Sequence, residues 1–135
     1  MAIVAAALTG CATPATQIVR DSSPMPLAAD PGNVARGREI VTGRDGNCVL
    51  CHVIPATGVT FMGNLGPTLA GVGARLNEAQ LRQQLVDPQR LNPDSIMPAY
   101  ARTDGFTQVG KSWRDKPIFT TRQIEDTVAF LATLR

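Results

Sequence analysis

Residues 46–52 read Gly-Asn-Cys-Val-Leu-Cys-His, and the run from Cys48 through Cys51 to His52 restricts this chain more than any other feature. Two cysteines separated by two residues, with a histidine directly after the second, form the attachment signature of a c-type haem. The spacing follows from the chemistry. Each thiol adds across one vinyl group of the ring, and two intervening residues let one tight turn reach both vinyls. The next residue then lies under the ring, where its imidazole binds iron as the proximal ligand. A zinc site would need two more ligands at workable spacing, but His52 is the one histidine in the sequence and Cys11 lies far upstream. A thioredoxin-like redox pair would need a strand before it and a helix after it, whereas the preceding residues read as a helix followed by Gly43-Arg44-Asp45-Gly46. The expected cofactor is one haem c bound through Cys48 and Cys51, with His52 on the iron.

The 135 residues leave room for one domain and some tail. A net charge of +2 with no block of like charges gives no indication of nucleic-acid binding. Aromatic content is only 4%, low for a domain of this size, and a macrocycle at the centre of the core would make up the shortfall. Covalent haem attachment in bacteria takes place outside the cytoplasm, so a periplasmic location and an export signal are expected. Residues 1–8 are apolar but too short to span a bilayer, and they lack the basic region of an ordinary signal peptide. Leu8-Thr9-Gly10-Cys11 resembles the lipobox of bacterial lipoproteins. Residues 1–11 are therefore read as a signal or lipobox-like segment, with Cys11 carrying a lipid that tethers the protein to a membrane. The alternatives are a plain signal peptide with Cys11 lost or free, and a disulfide from Cys11 to a partner. Residues 12–29 are rich in proline and small residues with no apolar period, which reads as a flexible tether.

The remaining residues, 30–135, form the domain. Asp30 suits a helix N-cap and Pro31 the first helical position. Val34, Gly37 and Val41 then share a face, and Gly43 is placed to stop the helix. Asn77 with Gln80 reads as a capping box opening a helix to about Val86, closed by Asp87-Pro88. Thr120 with Gln123 opens another, along which Ile124, Val128 and Leu131 repeat at helical spacing, widened by Phe130 and Leu134. An N-terminal helix, a haem turn, a middle helix and a C-terminal helix give an all-α domain. The pattern resembles the class I cytochrome c fold, helices packed around a covalently attached haem. The resemblance implies that the first and last helices cross where a small residue admits an aromatic one, for which Gly37 and Phe130 are the candidates. It also implies that Gly66-Pro67-Thr68-Leu69 passes beside the proximal histidine. Pro67 would then offer its carbonyl to the imidazole N–H, and Leu69 would pack on the haem. Arg75 is a candidate partner for a haem propionate.

With no second histidine, the sixth iron ligand is sought among the methionines. Met25 falls in the tether. Met62 is ten residues past His52, in the stretch leaving the proximal side. Met97 sits in Asn92-Pro93-Asp94-Ser95-Ile96-Met97-Pro98, a proline-stiffened loop after the middle helix. The family resemblance favours Met97, leaving Met62 as core or loop filler. A haem closed by two axial ligands points to electron transfer and away from chemistry at its iron.

A more specific resemblance lies in the last third. Met97-Pro98-Ala99-Tyr100, Asp104-Gly105-Phe106-Thr107, Lys116-Pro117-Ile118-Phe119 and residues 123–131, in this order and spacing, resemble the SoxX family. SoxX is the small monohaem subunit of the sulfur-oxidising SoxAX complex. The match extends back through Gly46-Asn47-Cys48 and Asn64-Leu65-Gly66-Pro67-Thr68-Leu69. It implies a heterodimer with a SoxA-type cytochrome that joins thiosulfate oxidatively to a cysteine of the SoxYZ carrier, an L-cysteine S-thiosulfotransferase. This chain is not catalytic alone in that reading. It accepts electrons at its His52/Met97 haem and passes them to a small periplasmic cytochrome c. A free-standing electron shuttle and a ligand-binding haem sensor are the competing functions. The cations and aromatics of segment 101–120, among them Arg102, Phe106, Lys111, Trp113, Arg114 and Lys116, suit a docking surface for the larger subunit. The alternative there is a solvated loop tied down by a buried Trp113.

Overall fold

The computed structural model describes residues 25–135. Helices α1 (Val34–Thr42), α2 (Val72–Arg75), α3 (Glu78–Val86) and α4 (Thr121–Thr133) alternate with 3-10 turns at Cys48–Leu50, Pro88–Arg90 and Lys111–Trp113, with no strand among the described residues. Cys11, the lipobox-like segment and most of the stretch read as a tether lie outside them. No helix among the described residues is long and apolar enough to cross a membrane.

Both capping boxes form as their spacing predicts. Asn77 and Thr120 accept from the N–H groups of Gln80 and Gln123, and each glutamine side chain returns the bond to the cap residue. The start of α1 differs from expectation. Asn33 is its N-cap, accepting from the Arg36 N–H at 3.0 Å. Asp30 instead pairs with Arg122 of α4, while the Asn33 N–H donates to Asp126 at 2.7 Å. Residues 30–33 are thus drawn along α4 and cannot wind into a turn of helix. Val34 consequently stands exposed, while Gly37 and Val41 are buried. The four-residue α2 was not expected from the sequence.

Helices α1 and α4 cross at Gly37. A Cβ built there would lie 1.9 Å from the Asp126 carbonyl oxygen and 2.8 Å from the Phe130 Cβ. The glycine lets the backbones meet, in the pairing with Phe130 that the fold resemblance implied. Val41, Leu81, Leu85, Phe119, Ile124, Val128, Phe130 and Leu131 form the core around this crossing.

Two adjacent carboxylates on α4 fasten the other elements. Asp126 receives Arg36 Nε at 2.7 Å and Nη2 at 2.9 Å from α1. Glu125 receives Arg82 Nε at 2.6 Å and Nη2 at 2.8 Å from α3. It also accepts the Leu27 N–H at 2.9 Å, so a residue in the stretch read as tether is fastened to the domain.

Burial by itself would raise the pKa of Asp126, but the bonds from Arg36 and the Asn33 N–H outweigh it and hold the carboxyl below its ordinary value. A carboxylate with a depressed folded pKa stabilises the fold fully above its unfolded value of about 3.9, and that contribution is lost as pH falls through the folded value. Asp126→Asn is therefore expected to lower stability by about 2 kcal/mol at pH 6, from charged hydrogen bonds lost. Urea titrations should show the gap to wild type closing towards pH 3; a gap independent of pH would contradict the assignment.

Candidate haem site

The Cys-His turn is set by the end of α1. The Gly43 N–H closes on the Glu39 carbonyl at 2.7 Å, and the Asn47 N–H bonds the Gly43 carbonyl at 2.8 Å. Asn47 adopts a left-handed conformation (φ 44°, ψ 34°), which asparagine tolerates better than most residues, and it launches the 3-10 turn. The N–H groups of Cys51 and His52 both bond the Cys48 carbonyl, at 3.1 and 2.9 Å. Both cysteines are half-buried on this one turn. Tyr100 supports it from behind: its hydroxyl donates to the Gly46 carbonyl at 3.2 Å, and its ring stacks on Phe119 with centroids 4.4 Å apart. Burial raises the Tyr100 pKa, so the phenol keeps the proton it donates.

After His52 the chain returns past its own turn. Gly63, Gly66 and Leu69 donate N–H bonds to the carbonyls of Val49, Cys51 and Val53, at 2.8, 2.7 and 2.9 Å. These rungs bring the Pro67 carbonyl to 2.6 Å from His52 Nδ1. A carbonyl only accepts, so Nδ1 carries the proton and Nε2 is left with the lone pair a metal needs. The approach requires glycine at position 66, where a Cβ would lie 2.4 Å from the His52 Cε1. Arg75, considered for a propionate, directs Nη1 to the Ala70 carbonyl at 2.6 Å and Nη2 to the Thr68 carbonyl at 3.3 Å, bracing the same loop.

The methionines separate by environment. Met62 sulfur accepts the Ile54 N–H at 3.1 Å and is held in the wall of the core. Met25 is 72% exposed. Met97 is half-buried, and Gln89 Nε2 reaches both the Ser95 and Met97 carbonyls at 2.8 Å. The structure brings Cys51, His52, Gly66 and Pro67 into direct contact. Cys48, Leu69 and Met97 border the hydrophobic core they share. Sequence reasoning missed Gln89 altogether, and quoted Tyr100 only within a family motif; neither has a local spacing that would reveal its long-range bond.

Trp113 is 61% exposed, so it does not tie segment 101–120 down as a buried anchor. Phe106 and Ile118 are exposed beside it in sequence. Arg102 lies 4.7 Å from the Phe106 ring centroid and pairs with Asp87 at 3.0 Å.

The residues present fit a haem c. Two thiols lie on one turn, the adjacent imidazole has its proton fixed away from Nε2, and Leu50, Leu65 and Ile96, each next to a candidate site residue in sequence, offer apolar surface. Residues 34–135 match the family described as Cytochrome c. In a crystal structure of SoxXA from P. pantotrophus, one chain is 39% identical, with 84% of this chain and 89% of that chain covered and a TM-score of 0.77. The c-type cytochrome SorU from Sinorhizobium meliloti is 22% identical over 75% of this chain and 88% of its own, with a TM-score of 0.49. Ferric cytochrome c-550 from Paracoccus versutus is 24% identical over 76% of this chain and 98% of its own, with a TM-score of 0.42. No curated protein matches the sequence. The chain belongs to the cytochrome c family, with the all-α class I fold and one haem c joined covalently through Cys48 and Cys51, and within that family it is similar to SoxX.

Proposed function

We propose that this cytochrome is the electron-accepting subunit of a SoxAX complex. A SoxA-type cytochrome is its partner, and together they join thiosulfate to a cysteine thiol of the SoxYZ carrier. Forming that sulfur–sulfur bond breaks the S–H bond of the thiol and releases its proton and two electrons. The electrons leave one at a time through this chain to a small periplasmic cytochrome c, the oxidant. The carrying observation is the 39% identity, over 84% of the chain, to a chain of SoxXA. The haem supplies a one-electron couple. This chain's residues would set its character: His52 Nε2 and the Met97 sulfur would hold the iron, and Leu69 would pack on the ring. The Pro67 carbonyl on Nδ1 makes the imidazole more basic. Methionine ligation favours ferrous iron relative to two histidines, which suits an electron acceptor. The bond from the Ile54 N–H to the Met62 sulfur favours Met97 for this role.

The exposed Phe106, Trp113 and Ile118 are the proposed contact with the SoxA-type subunit, since aromatic anchors beside cations concentrate binding energy. The proposed location is the periplasm, with a lipid on Cys11 as the tether, which mass spectrometry of the mature N-terminus tests.

The decisive measurement follows haem absorbance of the purified oxidised protein, mixed with thiosulfate and the carrier protein. Reduction is expected only when the larger cytochrome subunit is added. In Trp113→Ala and Phe106→Ala variants, co-purification with that subunit is expected to weaken at least about tenfold, the effect of one lost hot spot. No reduction with competent partners would favour the free shuttle, and undiminished assembly of both variants would move the interface elsewhere.

A further inference from the structure

The loop carrying Met97 has little backbone structure of its own. It leaves the 3-10 turn Pro88–Arg90, where the N–H groups of Leu91 and Asn92 both bond the Pro88 carbonyl at 3.0 Å. A Ser95 N–H to the Asn92 carbonyl at 2.9 Å closes the next turn, and the chain is next anchored at the Tyr100 N–H, on the Leu85 carbonyl at 2.9 Å. Between these anchors the Ser95 hydroxyl accepts the Met97 N–H at 3.3 Å, a bond within the loop, and one side chain from the preceding turn bridges it. Gln89 Nε2 donates to the Ser95 and Met97 carbonyls, both at 2.8 Å. Its base is rigid, because Pro88 is among the most deeply buried residues and proline fixes its backbone. The other half of the amide contributes no bond among the described residues, where Gln89 Oε1 is buried without a hydrogen-bond partner. A buried acceptor left unpaired disfavours the fold, so the amide is a poor choice for stability alone, and its two donated bonds are what it contributes.

We propose that Gln89 is a positioning residue for the distal ligand, its amide nitrogen bridging the carbonyls on either side of Ile96 so that the Met97 sulfur is held towards the iron. This rests on the reading of Met97 as the sixth ligand. Two carbonyls tied to one nitrogen restrict the backbone from which the side chain projects. Loss of the tie frees the loop to swing, and the sulfur leaves iron more often. The structural consequence is small, because only an exposed loop loosens; the coordination consequence is larger.

The test uses the full-length holoprotein with three substitutions. Gln89→Met keeps the volume and removes both donors. Gln83→Met is the control: Gln83 is a more deeply buried glutamine than the half-buried Gln89, and its Nε2 bonds the Asp87 carbonyl at 3.4 Å, outside the ligand loop. Met97→Leu removes the proposed ligand. Carbon monoxide must displace the sixth ligand, so its rate of binding to ferrous protein reports how often the sulfur departs; the sulfur-to-iron charge-transfer absorption of the ferric protein gives a second readout. Gln89→Met is expected to bind carbon monoxide about tenfold faster than wild type, equivalent to about 1.4 kcal/mol, and to weaken the absorption, while Gln83→Met matches wild type. A Gln89→Met rate within twofold of wild type, or an equal acceleration in Gln83→Met, overturns the proposal. Should Gln89→Met fail to fold, Gln89→Asn, one methylene short of both carbonyls, is read in its place, and a wild-type rate there is equally fatal. If Met97→Leu keeps the absorption and stays closed to carbon monoxide, the ligand reading itself has failed. If Met97→Leu opens the iron and Gln89→Met does not, only the positioning role is lost.

Discussion

Arg82→Met is expected to destabilise the holoprotein by about 3–5 kcal/mol, the usual cost of removing one partner from a buried ion pair. The side chains of Arg82 and Glu125 are only 2% and 6% exposed. Among the described residues Arg82 supplies two of the three hydrogen bonds to the Glu125 carboxylate, and the Leu27 N–H the other. Burial alone would raise the Glu125 pKa; the Arg82 and Leu27 bonds reverse that and bring it below its ordinary value. Without Arg82, the carboxylate is left to desolvation. It must take up a proton or open the junction between α3 and α4. The double variant Arg82→Met/Glu125→Met is expected to recover most of the loss, since apolar residues of similar volume replace buried ion pairs with little penalty. Urea unfolding followed by haem absorbance and by helical signal measures both. A single-variant loss below about 1 kcal/mol would mean that the pair behaves as an exposed one. The deficit should also shrink as pH falls, first as the unpaired, buried Glu125 of the variant takes up a proton, then as the wild-type carboxyl protonates through its lowered pKa and its own pair weakens.

Gly37→Ala divides two physical effects of opposite sign. Helix propensity alone predicts a gain of about 1 kcal/mol, because alanine is the better helix former. Packing predicts a loss of about 3 kcal/mol or more, at the upper end of overpacked sites. The packing effect wins here, since the new methyl would lie 1.9 Å from the Asp126 carbonyl oxygen and 2.7 Å from its carbon. Those atoms are helix backbone and cannot turn aside as a flexible side chain would. The helices must separate, loosening the crossing where Phe130 is buried and straining the Asp126 contacts with Arg36 and Asn33. Gly110→Ala is the matched control, because a Cβ there meets nothing within 4 Å among the described residues and its φ of −57° suits any residue. The control is expected to stay within about 0.5 kcal/mol of wild type. Thermal unfolding that ranks Gly37→Ala as the more stable of the two would show that the crossing adjusts to the methyl.

Features built from near neighbours could be read without coordinates. The cysteine pair and following histidine follow from the reach of one turn over one ring. The capping boxes at Asn77/Gln80 and Thr120/Gln123 follow from bonds three residues apart, and the apolar stripes of α3 and α4 follow from the helical repeat. Each rests on geometry that a short segment carries with it. The candidates Pro67 and Met97 come instead through likeness to other cytochromes, because no local rule ties position 67 to 52 or position 97 to either. Other features appear only when remote segments meet. Arg82 selects Glu125 across 43 residues, and Arg36 selects Asp126 across 90. These partners lie on adjacent residues of one helix, where apolar periodicity says nothing about charged neighbours. The shift of the α1 cap from Asp30 to Asn33 has the same origin: local propensity favours an earlier start, but Arg122 and Asp126 bind the strand of residues before the helix. Gln89 and Met62 are settled likewise by which backbone groups the folded loops bring within reach. Short-range hydrogen bonds and residue spacing leave a trace in the order of amino acids, whereas the choice among distant partners is made by packing, once the helices have crossed at Gly37.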